Sequence, residues 1–479
     1  MACTTTPEPF TAEELDTFAA DKRNRAISED QEPVTRSIGL YEAMARALKY
    51  NLDHRLEMDE VALRYAELTD GDFDMLPDLV LRVDWSDRSN IPFSRSLRAD
   101  GSVSENSTSS EDSGSVYSGL ELSWDILDFG LSYYRSKQNA DRVMIAEEQR
   151  RSTINRVIED VQTAYWRAVA AERLLGPIAE LEKRAERALD SAKEQVDSGA
   201  GDQLEALRFQ REMYETLRRA QTLRRDLTVA KNQLAALMNL PQNQSYHVII
   251  LRHVELATPI TRLNSEQMME MALRNRPEMR EIAYRMRIND IEDDAAFLEL
   301  LPSIRPYAGL NYDSNEFLQN ENWTSWGARV SWDLINIAGY SRRKDTIEGQ
   351  ESLLDARAVA LTQAIATQVY VSNERFHSLK KETRLARENH LVSDRIFKQT
   401  RDEFESGTGS ERELIRENLN AILASLQYDA TYAEMQGAFA NVYASVGLDA
   451  FDGRMSGNES VSLLASSLEA VWRKRGDKG

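Results

Sequence analysis

SWDILDFG, residues 123–130, decides the fold, because the chain writes it a second time: SWDLINIAG, residues 331–339, begins 208 residues downstream. Each copy closes a run in which apolar and polar residues alternate. Each also opens a long stretch with apolar residues at three- and four-residue spacing. A period this long exceeds the roughly 20–50 residues of solenoid and propeller repeats and implies a duplicated half-protein.

Other phrases keep the same offset. DSGAGDQLEALR (197–208) faces ESGTGSERELIR (405–416), and LAALMNLP (234–241) faces VYASVGLD (442–449). Upstream of the repeated phrase the offset is 225: ALKYNL (47–52) faces ALRNRP (272–277), and LPDL (76–79) faces LPSI (301–304). The first half therefore carries 17 extra residues, and the polar, Ser-rich stretch 87–115 is where they fall. The halves read as 35–240 and 263–449, joined by a linker at 241–262 and flanked by extensions 1–34 and 450–479.

Within a half, alternation marks strands. Leu79, Leu81, Val83 and Trp85 oppose Arg82, Asp84 and Ser86; Leu120, Leu122, Trp124 and Ile126 oppose Glu121, Ser123 and Asp125. In the second half Ile304, Ala308, Leu310 and Tyr312 oppose Arg305, Tyr307, Gly309 and Asn311. Trp326, Ala328, Val330, Trp332 and Leu334 oppose Gly327, Arg329, Ser331 and Asp333. One wet and one apolar side follow, and four strands are too few to close a sheet, so their edges need partners. Stretches 131–197 and 340–405 read as single helices of about 100 Å at 1.5 Å per residue, suited to coiled coils. Shorter helices are expected at about 35–72 and 203–239. The half-unit is thus short helix, two strands with a loop, long helix, tight turn, short helix.

Composition removes several function classes. A net charge of −20 argues against a nucleic-acid partner. One cysteine excludes a disulfide framework within the chain, and five scattered histidines, with His247 and His253 the nearest pair, form no metal constellation. No cofactor motif, nucleophile–base set or metal set points to an enzyme. No run approaches the ~20 apolar residues of a spanning helix, which leaves transmembrane strands open. The opening MACTTTPEPF reads as lacking a signal peptide. Cys3 nevertheless sits where a mature bacterial lipoprotein would begin, so a lipid anchor and an ordinary cysteine both stand. Asn106 and Asn322 match glycosylation acceptors, which mean little outside a eukaryotic secretory context.

The duplicated order of A-L-x-x-N helix starts (47–51, looser at 272–275), LP strand starts, SWD before a Gly and S-G-x-G turns resembles the TolC-like outer membrane factors of Gram-negative export systems, over residues 35–449. The resemblance implies a mainly α protein with transmembrane β: four strands per protomer in a homotrimeric 12-stranded barrel, above a coiled-coil α-barrel in the periplasm. It implies an outer-membrane location in contact with lipid. It also implies a role as exit duct, with a periplasmic adaptor and an inner-membrane pump of RND, ABC or MFS type as partners. Small-molecule efflux and type I protein secretion are both served by such ducts, and a lipidated Cys3 would favour efflux. Trp124 and Trp332 then suit an interfacial aromatic girdle, and Gly130 and Gly339 the bend from strand into helix. The turns Gly201-x-x-x-Glu205-x-x-Arg208 and Gly409-x-x-x-Glu413-x-x-Arg416 become the periplasmic tip. Glu413 matches a position where the family rings its aperture with carboxylates. Arg416 departs from a second acid, and Phe404 from a Tyr that latches a tip carboxylate, here matched by Glu205. Glu–Arg pairing between neighbouring helices is the expected closure, with ordinary pairs within one helix as the plainer reading. A long coiled-coil scaffold without a pore is the alternative function.

Overall fold

The computed structural model describes residues 8–28, 31–34, 36–198, 202–241, 244–250, 264–449, 451 and 459–476. Cys3, Gly201 and His253 lie outside them, as does much of the 241–262 linker. The chain runs α1 (Ala12–Ser28), α2 (Leu40–Tyr50), α3 (Leu52–Phe73), β1 (Asp78–Asp87), β2 (Gly114–Ser123), α4 (Ile126–Ser198), α5 (Gln203–Leu237), α6 (Ser265–Asn275), α7 (Pro277–Leu298), β3 (Ser303–Asp313), β4 (Asn322–Ser331), α8 (Leu334–Glu405), α9 (Glu411–Ser445) and α10 (Val461–Gly476). From α2 to β1 each element recurs 225 residues on, and from β2 to α5 each start recurs 208 residues on. The repeats are not the compact units. One unit comprises Met1–Glu60, Glu147–Arg280 and Val359–Gly479; the other comprises Val61–Ala146 and Glu281–Ala358; each takes pieces from both halves.

The second unit holds one antiparallel sheet in the order β1-β2-β3-β4. Its register puts Leu81 opposite Leu120, Leu120 opposite Leu310 and Leu310 opposite Thr324, so one face is a continuous apolar surface. Leu79, Trp85 and Trp326 on that face are 65%, 74% and 84% exposed, the kind of apolar patch that marks a protein or membrane contact. The opposite face carries Arg82, Glu121, Arg305, Asn311 and Arg329. The strands end at Ser123 and Ser331, three residues before the expected limit. Trp124, Ile126, Trp332 and Leu334 continue the alternation by composition only, because Ile126 and Leu334 already begin helices.

The first unit is a helical assembly. On α4, Leu174, Ile178, Leu181, Ala185, Ala188 and Ala192 are buried at alternating spacings of four and three. Met213, Thr216, Ala220, Leu227, Ala230 and Leu234 continue the pattern on α5. These are heptads, the pattern of a coiled-coil seam, and Ile415, Leu419 and Ile422 of α9 close the same core. A second core gathers Met44 and Leu48 of α2, Ile158, Val161 and Trp166 of α4, Phe376 of α8, Phe439 of α9 and Trp472 of α10.

The expected single helix at about 35–72 is two. Asn51 leaves helical geometry at ψ 129°, and its Oδ1 accepts from the backbone N–H groups of Asp53 and His54, which starts α3. At the equivalent break Arg276 is extended at ψ 135° because Pro277 disfavours helical geometry in the residue before it.

Candidate functional site

The repeated Trp-Asp pair makes the strand-to-helix junction in the second unit. Asp125 Oδ1 accepts from the N–H groups of Leu127 and Asp128 at 3.0 and 3.2 Å, and Asp333 Oδ1 from those of Ile335 and Asn336 at 2.9 and 3.2 Å. Each aspartate caps a long helix at the point where the first N–H groups lack helical partners. Each tryptophan ties the junction to the residue before its half's LP phrase: Trp124 Nε1 donates to Met75 O at 3.3 Å, and Trp332 Nε1 to Leu300 O at 2.9 Å. Both rings stay about half exposed, at 42% and 55%. Gly130 and Gly339 do not form the bend. They lie one turn inside α4 and α8, since Asp125 and Asp333 already set the helix starts.

The polar sheet face is organised around aromatic side chains lying over glycines. A Cβ on Gly327 would meet the Tyr307 hydroxyl at 2.7 Å, and one on Gly119 would meet the Tyr117 hydroxyl at 2.9 Å. Tyr117 donates to Asn311 Oδ1 at 2.6 Å, and Asn311 Nδ2 donates to Ser325 Oγ at 2.9 Å. This chain of bonds crosses β2, β3 and β4 and leaves a smooth, wettable surface.

In the first unit the helices that follow the two turns, α5 and α9, start alike. Asp202 accepts from the N–H groups of Leu204 and Glu205, and the Ser410 hydroxyl accepts from that of Glu413 at 3.2 Å. Glu205 and Glu413 thus occupy the same first-turn position, where the helix dipole favours a carboxylate. The N–H groups of Thr408 and Gly409 both donate to Glu403 O at 3.0 Å. A Cβ on Gly409 would sit 2.9 Å from the Phe404 nitrogen, so only glycine fits this close approach. The Phe404 ring is 36% exposed.

Arg416 lies 3.3 Å from Glu413 and 3.4 Å from Glu417, all three on α9, so within this chain the plainer reading of that pair holds. Among the described residues Glu205 and Arg208 form no ion pair. An ion pair that joins α9 to α5 near their starts is one the sequence did not single out: Arg412 Nε to Glu212 Oε2 at 2.7 Å. It borders a cleft of about 400 Å3 into which Arg208, Arg211, Arg219 and Arg416 also face. The partners are 200 residues apart, and only the repeat of Leu204–Arg208 with Arg412–Arg416 hinted that the turns lie side by side.

Residues 75–240 match the family model described as outer membrane efflux protein. No curated protein matches the sequence. Among solved structures the CmeC outer membrane channel of Campylobacter jejuni is similar at TM-score 0.65 and 16% identity, covering 94% of this chain and 96% of that chain. The MtrE outer membrane channel of Neisseria gonorrhoeae, in an open state, is similar at TM-score 0.62 and 15% identity, covering 88% and 95%. The outer membrane protein VceC of Vibrio cholerae is similar at TM-score 0.60 and 10% identity, covering 85% and 96%. At these identities the likeness is one of fold. Residues 75–240, most of the first repeat, thus carry the pattern of the outer membrane efflux protein family, and nearly the whole chain shares its fold with outer membrane channels.

Proposed function

We propose that the protein is a passive exit duct in a Gram-negative outer membrane, receiving small molecules or proteins from a periplasmic adaptor and an inner-membrane pump. The observation that carries this reading is the four-stranded sheet. It has one apolar and one polar face, and among the described residues its outer strands β1 and β4 have no partner on their free edges. Unpaired edges and an exposed apolar face are both costly in water. Three copies pairing β1 to β4 remove every edge, give an even count of 12 strands and turn the apolar face to lipid. The polar face then lines the lumen, and the heptad-bearing helices wall the periplasmic part. Trp124 and Trp332 serve as the inner aromatic girdle, with their indole N–H groups held and their rings about half exposed. Glu413, Arg416, Glu205, Arg208, Phe404 and Gly409 belong to the periplasmic tip. No catalytic step is part of this function.

The test is assembly and conductance together. Detergent-purified protein should scatter light as a trimer and insert into planar bilayers as discrete conducting units. A monodisperse monomer with its strand content intact, or a trimer that never conducts, would favour the poreless coiled-coil scaffold.

A further inference from the structure

The geometry points to a binding groove for amphiphilic organic anions between α4, α7 and α8 in the unit formed by Val61–Ala146 and Glu281–Ala358. The groove has a volume of about 650 Å3, within the range of about 300–1,000 Å3 that small-molecule sites occupy. Its walls combine two chemistries. Ile145, Ile288 and Ile347 give it an apolar floor, and Ile347 is 5% exposed. Four arginines, Arg142, Arg285, Arg343 and Arg357, stand along it against a single acid, Glu292.

The ion pairs show which of these charges is available. Arg285 is held by Glu281 at 2.7 Å. Arg343 reaches Glu292 at 2.9 Å and also binds Glu299. Glu292 in turn accepts from Gln138 Nε2 at 3.0 Å, so its second oxygen is used as well. Among the described residues Arg142 donates to the neutral Asn139 Oδ1 at 2.5 Å and pairs with no acid directly; it acts only through space on Glu292, which Arg343 already binds. The Arg357 side chain makes no hydrogen bond or ion pair among the described residues. Two guanidiniums with no carboxylate bound directly to them thus stand beside an apolar floor. Guanidinium is shaped to take a carboxylate or phosphate oxygen pair in parallel bonds. The buried Asn289 beside that floor is fixed by its bond to Ile347 O at 3.3 Å. A ligand with one anionic head and an aliphatic body satisfies both halves. Such a molecule could be a free organic acid or an acidic lipid.

The inference stands apart from the duct reading and is tested by binding alone. The full chain is placed in nanodiscs of zwitterionic lipid, and equilibrium dialysis of radiolabelled dodecanoate is compared with empty discs. Saturable binding near one per chain is expected. It should weaken at least tenfold in the double variant Arg142→Gln/Arg357→Gln, but less than threefold in Arg285→Gln, whose charge is already paired. Dodecyltrimethylammonium and acetate, which each lack half of the recognised chemistry, should not compete. Discs containing phosphatidylglycerol distinguish the sources: reduced dodecanoate binding assigns the groove to acidic lipid, and unchanged binding to free acids. No saturable excess over empty discs overturns the proposal, as does equal affinity in the double variant or equal competition by the cationic amphiphile. Both arginines are exposed, so the variant chain keeps its fold; unchanged elution and melting of the purified protein verify that.

Discussion

The indole of Trp332 donates to the carbonyl of Leu300 at 2.9 Å, and Trp124 makes the equivalent bond to Met75. The adjacent aspartates hold the first N–H groups of α8 and α4. Trp-Asp is therefore a two-part joint, in which one residue fixes the strand end and the next starts the helix. Asp333→Ala should cost about 0.5–2 kcal/mol locally. It should raise hydrogen exchange at the amides of Ile335 and Asn336, while Asp333→Asn stays close to the parent. Unchanged exchange in the alanine variant would mean that the cap does not hold the helix start.

Much of this joint was legible, and its limits have physical reasons. The duplication placed both junctions and the starts of α5 and α9, because equal spacings survive where side chains drift, and alternation placed the strands. Strand ends were overrun because Trp124 and Ile126 keep the alternation of β2, and alternation does not register a cap. The break at Asn51 was hidden by good helix formers on either side, although Pro277 marks its counterpart. The Arg412–Glu212 bond was invisible for another reason: contacts across a coiled coil are set by the rotation of each helix, which the spacing of polar residues does not specify.

The two repeats end their short helices in the same backbone state with different residues. Gly447 has φ +72°, and Asn239, its counterpart, has φ 52°. Asparagine tolerates this left-handed cap and glycine favours it. At Gly447 a Cβ would also come within 2.6 Å of the Arg276 nitrogen and the Asn275 carbonyl carbon. Gly447→Ala should therefore cost more than about 2 kcal/mol, from left-handed strain plus a backbone clash. Asn239→Gly, which loses one bond to Ala26 O, should stay within about 1 kcal/mol. Melting of the two variants in one detergent tests the order.

A carboxylate clamps the segment that follows α5. Glu172 of α4 binds Lys231 Nζ at 2.7 Å and His247 Nδ1, and Tyr246 donates to Lys231 O at 2.5 Å. Burial pulls the Glu172 carboxyl upward, but the bonds from His247 and Lys231 outweigh it and hold it below the ordinary value. A lowered carboxylate stabilises the folded state fully above its unfolded value of about 4.3, and that contribution is lost as pH falls through the lower folded value. Protection of the Ile38 and Ile249 amides, which bond to His247 O and Ile38 O, should fall below about pH 4.3. Glu172→Gln should remove this acid dependence. Equal pH profiles in parent and variant would leave the clamp without a role.

The tip prediction turns on which charge pair links helices. Among the described residues Arg416 pairs along α9, whereas Arg412 joins α9 to Glu212 of α5. The side chains of Arg412 and Glu212 are 43% and 26% exposed, so one such pair is worth about 0.2–1 kcal/mol after solvent screening. In the proposed trimer three copies act together at about 0.6–3 kcal/mol, enough to shift a closed–open balance roughly three- to 150-fold. Arg412→Ala and Glu212→Ala should each raise single-channel conductance in planar bilayers. The exchange Arg412→Glu with Glu212→Arg should restore it, and high salt should narrow the difference from the parent. Arg416→Ala should change conductance less but increase cation preference, because it strips the counter-charge from Glu413 and Glu417. Glu413→Ala should lower that preference, and Glu205→Ala or Arg208→Ala should change little. A charge exchange that fails to restore conductance would remove the Arg412–Glu212 bond from the gate. Unchanged selectivity in both the Glu413 and Arg416 variants would place the aperture elsewhere.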